Sequence, residues 1–414
     1  MSTISIFSYV LIFSVMITNV FSGLNKLNSI YLVLGIVFAY LGLSLYFTDL
    51  MYHDSFMGIL ILTLQLIYNI YLVKEKRTES SNLYINVSSF LLPLYLLSTQ
   101  SCWDHVIIIT LIEILRIVSS SDKSKEEAKS TLLNYISANL KIFVMILSTI
   151  IAVSITKTDL FSDPNNIQEL YIGIPIVIFY ILSFVYTGGL NSTVVENNNI
   201  NNLKSKNILS YISIYKVIIP YVLILNSKNL ISKSSYDIYV LIDEVLIVAL
   251  ILMTLYFVWI YIKSPHRNIK LTAVQNISLL PMSFMFLTND VIDSKEYLLY
   301  LIMNSLLFSF IILIEQYQVS FKKISLWTSK LIFFNSPLSP LLFLNLYFLS
   351  KFKVLYSDFV SLLLFVILIL PSLWIVREIK SQSKVKTKKY NNHANSRLIF
   401  IVLCAIIIIV NYNL

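Results

Sequence analysis

Cysteine is almost missing from this 414-residue chain. There are two, Cys102 and Cys404, far apart in sequence. No disulfide framework and no thiolate metal site follows from such a pair. The four histidines, His53, His105, His266 and His393, fall at no ligand spacing. Glycine is scarce, at seven residues, and no glycine-rich phosphate loop, nucleophile elbow or HExxH is present. Charge is scarce as well, at 13% of residues. That excludes an ordinary soluble domain, which carries about twice as much. The loops are short apart from 188–206 and 377–397, so soluble-type chemistry has nowhere to fold.

What is present is apolar. Hydrophobic residues make up 57% of the chain and the mean hydropathy is +0.78. A membrane span needs roughly 20 mostly apolar residues. Windows of that kind occur at about 4–23, 28–48, 56–73, 83–99, 103–118, 131–154, 170–187, 207–225, 238–262, 271–288, 297–314, 324–350, 355–376 and 398–413. The prediction is therefore an all-α polytopic membrane protein with about fourteen transmembrane helices in one transmembrane domain covering 1–414. The first window lacks a basic leader and reads as a span, not a cleavable signal. Heavy use of Ile, Asn, Lys, Tyr and Phe suggests an AT-rich genome, bacterial or organellar. In span twelve, FFNSPLSPLLF carries Pro337 and Pro340, which break the helical ladder. Such a discontinuous helix is tolerated only inside protein or beside a water-filled cavity.

The net charge of +9 is distributed unevenly. Odd-numbered loops between the spans hold 21 of the 31 Lys and Arg, and even-numbered loops hold 5. This is the positive-inside pattern, and it puts both termini on the outer, positive side. The Lys-rich stretch REIKSQSKVKTKKYNNHANSR is then an inner loop facing anionic lipid, so no nucleic-acid partner is expected.

The other 5 basic residues, Arg116, Lys141, Lys216, Lys330 and Lys351, lie in spans or at a span's edge. Each buried charge costs at least ~2.5–3.5 kcal/mol, which makes these residues functional candidates. One carboxylate stands out, Glu113 in DHVIIITLIEILRIV. Arg116, three residues on, can neutralise it on one helix face. Otherwise Glu113 lines a proton path with a lysine from another span. Lys216 sits at the middle of ILSYISIYKVIIPYVLIL, too deep to reach water easily. Pro220, one turn later, frees a backbone carbonyl beside it. Desolvation favours a neutral lysine and a nearby carboxylate favours the charged form, so a lysine held between them can load and release a proton.

Several stretches, taken in order, resemble one family, the antiporter-like membrane subunits of respiratory complex I, most closely subunit 2. MYHDSFMGILIL is similar to the entry of the family's third span, and LLPLYLLSTQSCWDHVIIITLIEILRIVS to spans four and five, with Glu113 at the family's glutamate. KSKEEAKSTLLNYISANLKIFVMILSTIIAVSITKTDL resembles span six and its amphipathic entry, and SYISIYKVIIPYVLIL resembles span eight with Lys216 at its lysine. NIKLTAVQNISLLPMSFMFL is similar to the entry of span ten. NSPLSPLLFLNLYFLSKF resembles the proline-broken span twelve with Lys351 near its lysine, and SLWIVREI resembles the end of span thirteen. The span-seven lysine of the family falls on Tyr186 here, and the proline-to-lysine spacing in span twelve is about one helical turn longer.

The resemblance implies an antiporter-like fold and a place in the membrane arm of NADH:ubiquinone oxidoreductase, in the mitochondrial inner membrane or a bacterial plasma membrane. It implies proton translocation coupled to electron transfer, with Glu113, Lys216 and Lys351 as relay groups and Arg116 or Lys141 as ion-pair partners for Glu113. It implies no catalytic residue, metal or cofactor in this chain. Flavin, iron–sulfur clusters and quinone would belong to partner subunits, and structural phospholipids to the contacts between them. A non-pumping scaffold subunit and a sodium/proton antiporter relative share the fold. A polysaccharide polymerase or lipid-linked sugar flippase is the rival class. Against it stand short outer loops that are neutral or acidic, as with Asp290, Asp293 and Glu296.

Overall fold

The computed structural model describes residues 101–120, 125–159, 169–187, 215–264 and 267–288, with isolated positions at 92, 96, 99 and 167, between 292 and 304, and between 346 and 367. Spans one to three, span fourteen and most of spans four, eleven, twelve and thirteen lie outside the described residues, and so do Lys330 and Lys351. The described helices are α1 (Cys102–Ser120), α2 (Lys125–Thr156), α3 (Gly173–Tyr186), α4 (Tyr215–Ile231), α5 (Tyr236–Lys263) and α6 (Arg267–Thr288). The chain divides into two compact units, Met1–Ser183 with Ser213–Lys233, and Phe184–Ile212 with Ser234–Leu414.

In the first unit α1 packs on α2 and on α4. The two faces of α1 do not differ in the usual way. Trp103, Ile107, Leu111 and Ile114 form an exposed stripe, whereas Cys102, His105, Val106, Ile109, Ile112 and Glu113 are buried. Both stripes repeat every three to four residues, the helical period, but the polar residues are on the inside. That inversion suits a helix whose solvent is lipid. α2 repeats it, with Leu132, Ile136, Leu140, Phe143, Leu147 and Ile150 exposed and Lys141, Ser148, Thr149 and Thr156 buried. Ala138 and Ala152 on the buried stripe let the neighbouring helix approach closely.

α2 starts at Lys125, before the apolar window that begins at 131. At 32 residues it is about 48 Å long, against about 30 Å of hydrocarbon. Its charged first turns (KEEAKSTLLN) therefore extend beyond the apolar part, which runs Tyr135–Thr156. With few glycines to hand, the chain leaves α2 through Lys157 in the left-handed region, φ 56°, where its N–H donates to Val153 O at 2.8 Å.

α4 also differs from its window. The apolar run ends at Leu225, yet the helix continues to Ile231 through Asn226, Ser227, Lys228 and Asn229. The reason is tertiary: the polar side chains find partners on other elements of the fold. Ser227 Oγ donates to Ile176 O at 3.1 Å and to Leu223 O at 3.2 Å, and Asn226 meets His105. Pro220 lies inside α4 and removes the amide that would close on the carbonyl of Lys216.

At one end of this unit the loops tie together. Cys102 N donates to Asp159 O at 3.0 Å, and Ile167 N to Lys233 O at 2.9 Å. Hence α1 begins where α2 ends, and a 3-10 turn (Leu170–Ile172) leads into α3.

In the second unit α5 and α6 form an antiparallel pair, closed where Tyr239 OH donates to Thr288 O at 2.8 Å. α5 buries Ile238, Ile242, Leu246, Leu250, Met253, Phe257 and Tyr261, and with 28 residues it is long and apolar enough to cross a membrane. α6 is buried on every side from Thr272 to Thr288.

Candidate functional site: a buried ion pair and a histidine clamp

α1 and α2 bring together two of the charged residues singled out in the sequence. Lys141 Nζ lies 3.3 Å from Glu113 Oε1. The residues are 6% and 1% exposed. Glu113 is eleven residues from the start of α1, about 16 Å along its axis, which is about half the ~30 Å that a bilayer core measures. Two charges at that depth are tolerated only as a pair. Small residues on the α2 face allow the approach, because Ala138 sits one turn before Lys141.

The remaining sequence candidates fall as follows. Arg116 is carried by α1, one turn past Glu113, and Lys216 by the first turn of α4. The side chains of both lie outside the described residues, as does Lys351 altogether. Tyr186, which stands where a lysine would complete the family pattern, is the last residue of α3 and is buried.

A second polar cluster in the first unit was not anticipated from the sequence. His105 is buried on the same face of α1 as Glu113. Its Nε2 is 3.0 Å from Thr99 O and its Nδ1 is 3.1 Å from Asn226 Nδ2. A carbonyl accepts only, so Nε2 carries the proton and donates. The amide nitrogen donates only, so Nδ1 is the acceptor. The ring is thus held as the neutral Nε2–H tautomer. It joins the end of span four, α1 and α4. The only sequence signal would have been a histidine two turns ahead of Glu113 in an otherwise apolar run.

No family model matches this sequence, and no curated protein matches it. Solved structures do. A chain in the structure of the Mrp complex from Dietzia sp. DQ12-45-1b matches with a TM-score of 0.65. The match covers 95% of this chain and 83% of that chain at 12% identity. At that identity the likeness shows a shared fold.

The second unit holds a different kind of interior. Its described buried polar residues are all neutral: Thr187, Thr254, Thr272, Gln275, Asn276, Ser278, Ser283, Thr288 and Asn304. Asn304 Nδ2 donates to Ser278 Oγ at 2.8 Å, Tyr300 OH donates to Ser278 O at 3.1 Å, and Thr187 Oγ1 donates to Asn276 Oδ1. Such groups can pass a proton along through water, but they cannot store a charge at neutral pH.

Proposed function

We propose that this chain is an antiporter-like membrane subunit that carries protons within a larger membrane complex. The observation that supports it most is the buried Glu113–Lys141 pair in a fold shared with a chain of the Mrp complex. The assembly proposed first is the membrane arm of complex I, from the ordered sequence resemblance. The Mrp likeness favours a second reading, a subunit of a sodium/proton antiporter complex. Either belongs in an energy-transducing membrane, mitochondrial or bacterial, with membrane subunits and lipid as partners. Any flavin, iron–sulfur cluster or quinone would belong to other subunits.

The chemistry follows from the pair. Closed, it holds a carboxylate and an ammonium at little net charge. Opened, it leaves each ion alone in apolar surroundings, which is costly. The cheapest relief is for the ammonium to pass its proton along a hydrated path, with Lys216 on α4 as the next acceptor. Closing the pair again restores the charged lysine. Energy spent elsewhere in the complex would drive the opening. Lys141 supplies Glu113 with a counter-charge, whereas the resemblance would put the lysine at position 186.

Mass spectrometry of the native complex containing this chain separates the assemblies. Flavin and iron–sulfur subunits co-purifying with it place it in complex I. Antiporter subunits alone place it in an Mrp-like complex. A chain that runs alone overturns both. Within the complex, Lys216→Ala is expected to lower coupled proton translocation about tenfold or more with assembly intact, the scale of losing one proton-transfer group. Unchanged translocation would leave Lys216 a structural residue.

A further inference from the structure

His105 is buried and ionisable, and the ion pair makes no use of it. Its surroundings differ from those of a histidine merely filling space. Both ring nitrogens are engaged, and both partners are neutral: a backbone carbonyl on one side and a rotatable amide on the other. Nδ1 is therefore a basic site covered by an N–H that can turn away. A half-turn of the Asn226 amide would present Oδ1 in place of Nδ2, an acceptor for a protonated Nδ1.

The position of His105 in the first unit is equally specific. The Glu113–Lys141 and Cys102–Asp159 contacts set the α1–α2 register, which places His105 opposite the stretch Thr149–Thr156. Ser148, Thr149 and Thr156 are buried there. Each donates its hydroxyl proton to a carbonyl of its own helix, to Val144 O, Met145 O and Ala152 O, and keeps lone pairs to accept. Along α2, Thr149 is eight residues, about 12 Å, from Lys141. On the far side of the ring, Thr99 and Ser101 lead to the surface. Ser101 Oγ donates there to the exposed Asp159 carboxylate at 3.5 Å. The charged groups at this end are Asp104 on α1, Lys157 and Asp159 at and after the end of α2, Glu169 before α3, and Lys228 and Lys233 on and after α4, and none of them bonds the ring among the described contacts. By the charge bias of the loops, this is the outer, positive side.

We propose that His105 is a proton-transfer residue linking the Glu113–Lys141 pair to the outer surface through the first unit. The inference rests on the proton-carrying reading above. A proton reaches Nδ1 along the α2 hydroxyls and intervening water as the Asn226 amide turns over. The imidazolium then loses its Nε2 proton to water near Thr99 and Ser101, beside Asp159. One proton enters at Nδ1, where an O–H bond of water breaks as an N–H bond forms, and one leaves from Nε2, where an N–H bond breaks as an O–H bond of water forms; reorientation of the ring restores the starting tautomer. This gives the first unit an outward exit of its own, independent of Lys351.

The test uses the native complex in sealed vesicles, comparing wild type with Glu113→Gln, His105→Gln and Asn226→Asp. Glutamine at 105 keeps an N–H for Thr99 O and so preserves the clamp, but it carries no proton. Coupled proton flux in His105→Gln is expected to fall about tenfold or more, with assembly and thermal stability unchanged, a split that a structural role would not give. Asn226→Asp sets a carboxylate against Nδ1, retains the proton and slows flux to a similar degree; it decides the matter if His105→Gln does not assemble. If Glu113→Gln abolishes flux while the deciding variant stays within twofold of wild type, this inference falls and the proton-carrying reading stands. If flux is unaffected in Glu113→Gln as well, both fall.

Discussion

Lys141→Met is expected to destabilise the chain by about 3–5 kcal/mol, because it leaves the Glu113 carboxylate buried without its counter-charge. Glu113 and Lys141 face each other at 3.3 Å with almost no exposure, so water cannot take over from the missing ammonium. The yield of assembled protein should fall sharply and its thermal midpoint should drop. Removing both charges together has the opposite logic. In Glu113→Leu with Lys141→Met no ion remains to be desolvated, and replacing a buried pair by apolar side chains of similar volume is often neutral or stabilising, by up to about 4 kcal/mol. The double variant should assemble at wild-type yield or better while coupled proton flux is lost. A thermal-shift comparison of the purified complexes checks this. A single variant no less stable than the double would mean that the pair is not desolvated as the geometry requires. The contrast also separates function from structure: a pair kept only to hold α1 against α2 would leave flux intact in the stable double variant.

How much of this was legible in the sequence depends on the kind of interaction. Glu113 and Lys141 stood out as charges within apolar windows, since the cost of burying a charge is visible from composition alone. That Lys141 reaches Glu113 was not legible. The pairing depends on the rotation and register of α1 against α2, and with nearly every face apolar no periodicity sets them. The buried face of α2 could be recognised only once Lys141, Ser148, Thr149 and Thr156 were seen on one stripe. His105 was visible only as a histidine at no ligand spacing, because its partners Thr99 O and Asn226 come from other segments. The continuation of α4 beyond its apolar window was not legible for a related reason. Asn226 and Ser227 end an apolar run, yet their hydrogen bonds to His105 and Ile176 carry the helix onward. Hydropathy windows count side chains one at a time, and a partner 121 residues away has no weight in them.

The two units divide the polar interior by chemistry. In the first, Glu113, Lys141 and His105 can gain or lose a proton at a defined atom. In the second, every described buried polar group is neutral. Storing a proton needs the first kind, and relaying one needs only the second with water. The unit that stores charge is the one that also carries Lys216 on α4, and the buried acidic and basic side chains among the described residues, Glu113, Lys141 and His105, all lie within it. Tyr186 fits this division, because it falls in the second unit and a lysine there would have put a cation among neutral buried groups.

The neutral unit depends on close packing, and Tyr297→Ala should show it with a loss of about 3–5 kcal/mol, the scale for deleting a fully buried aromatic ring. The Tyr297 ring stacks on Phe286 with centroids 4.4 Å apart and planes 7° from parallel, and its hydroxyl meets Ser283 Oγ at 2.7 Å. Alanine removes the stacking surface, leaves a cavity beside α6 and orphans one hydrogen-bond partner of Ser283. Tyr297→Phe keeps the ring and loses only the hydroxyl contact. Ser283 Oγ still donates to Leu279 O at 3.0 Å, so this change should cost no more than about 1.5 kcal/mol. Thermal unfolding of the two variants, followed by the helical signal, gives the comparison. Equal losses would mean that the hydrogen bond, not the ring, holds the segment around 297 against α6. A large gap assigns the stability to packing, as expected in a lipid-embedded unit where apolar burial drives little and dispersion contacts carry most of the cohesion.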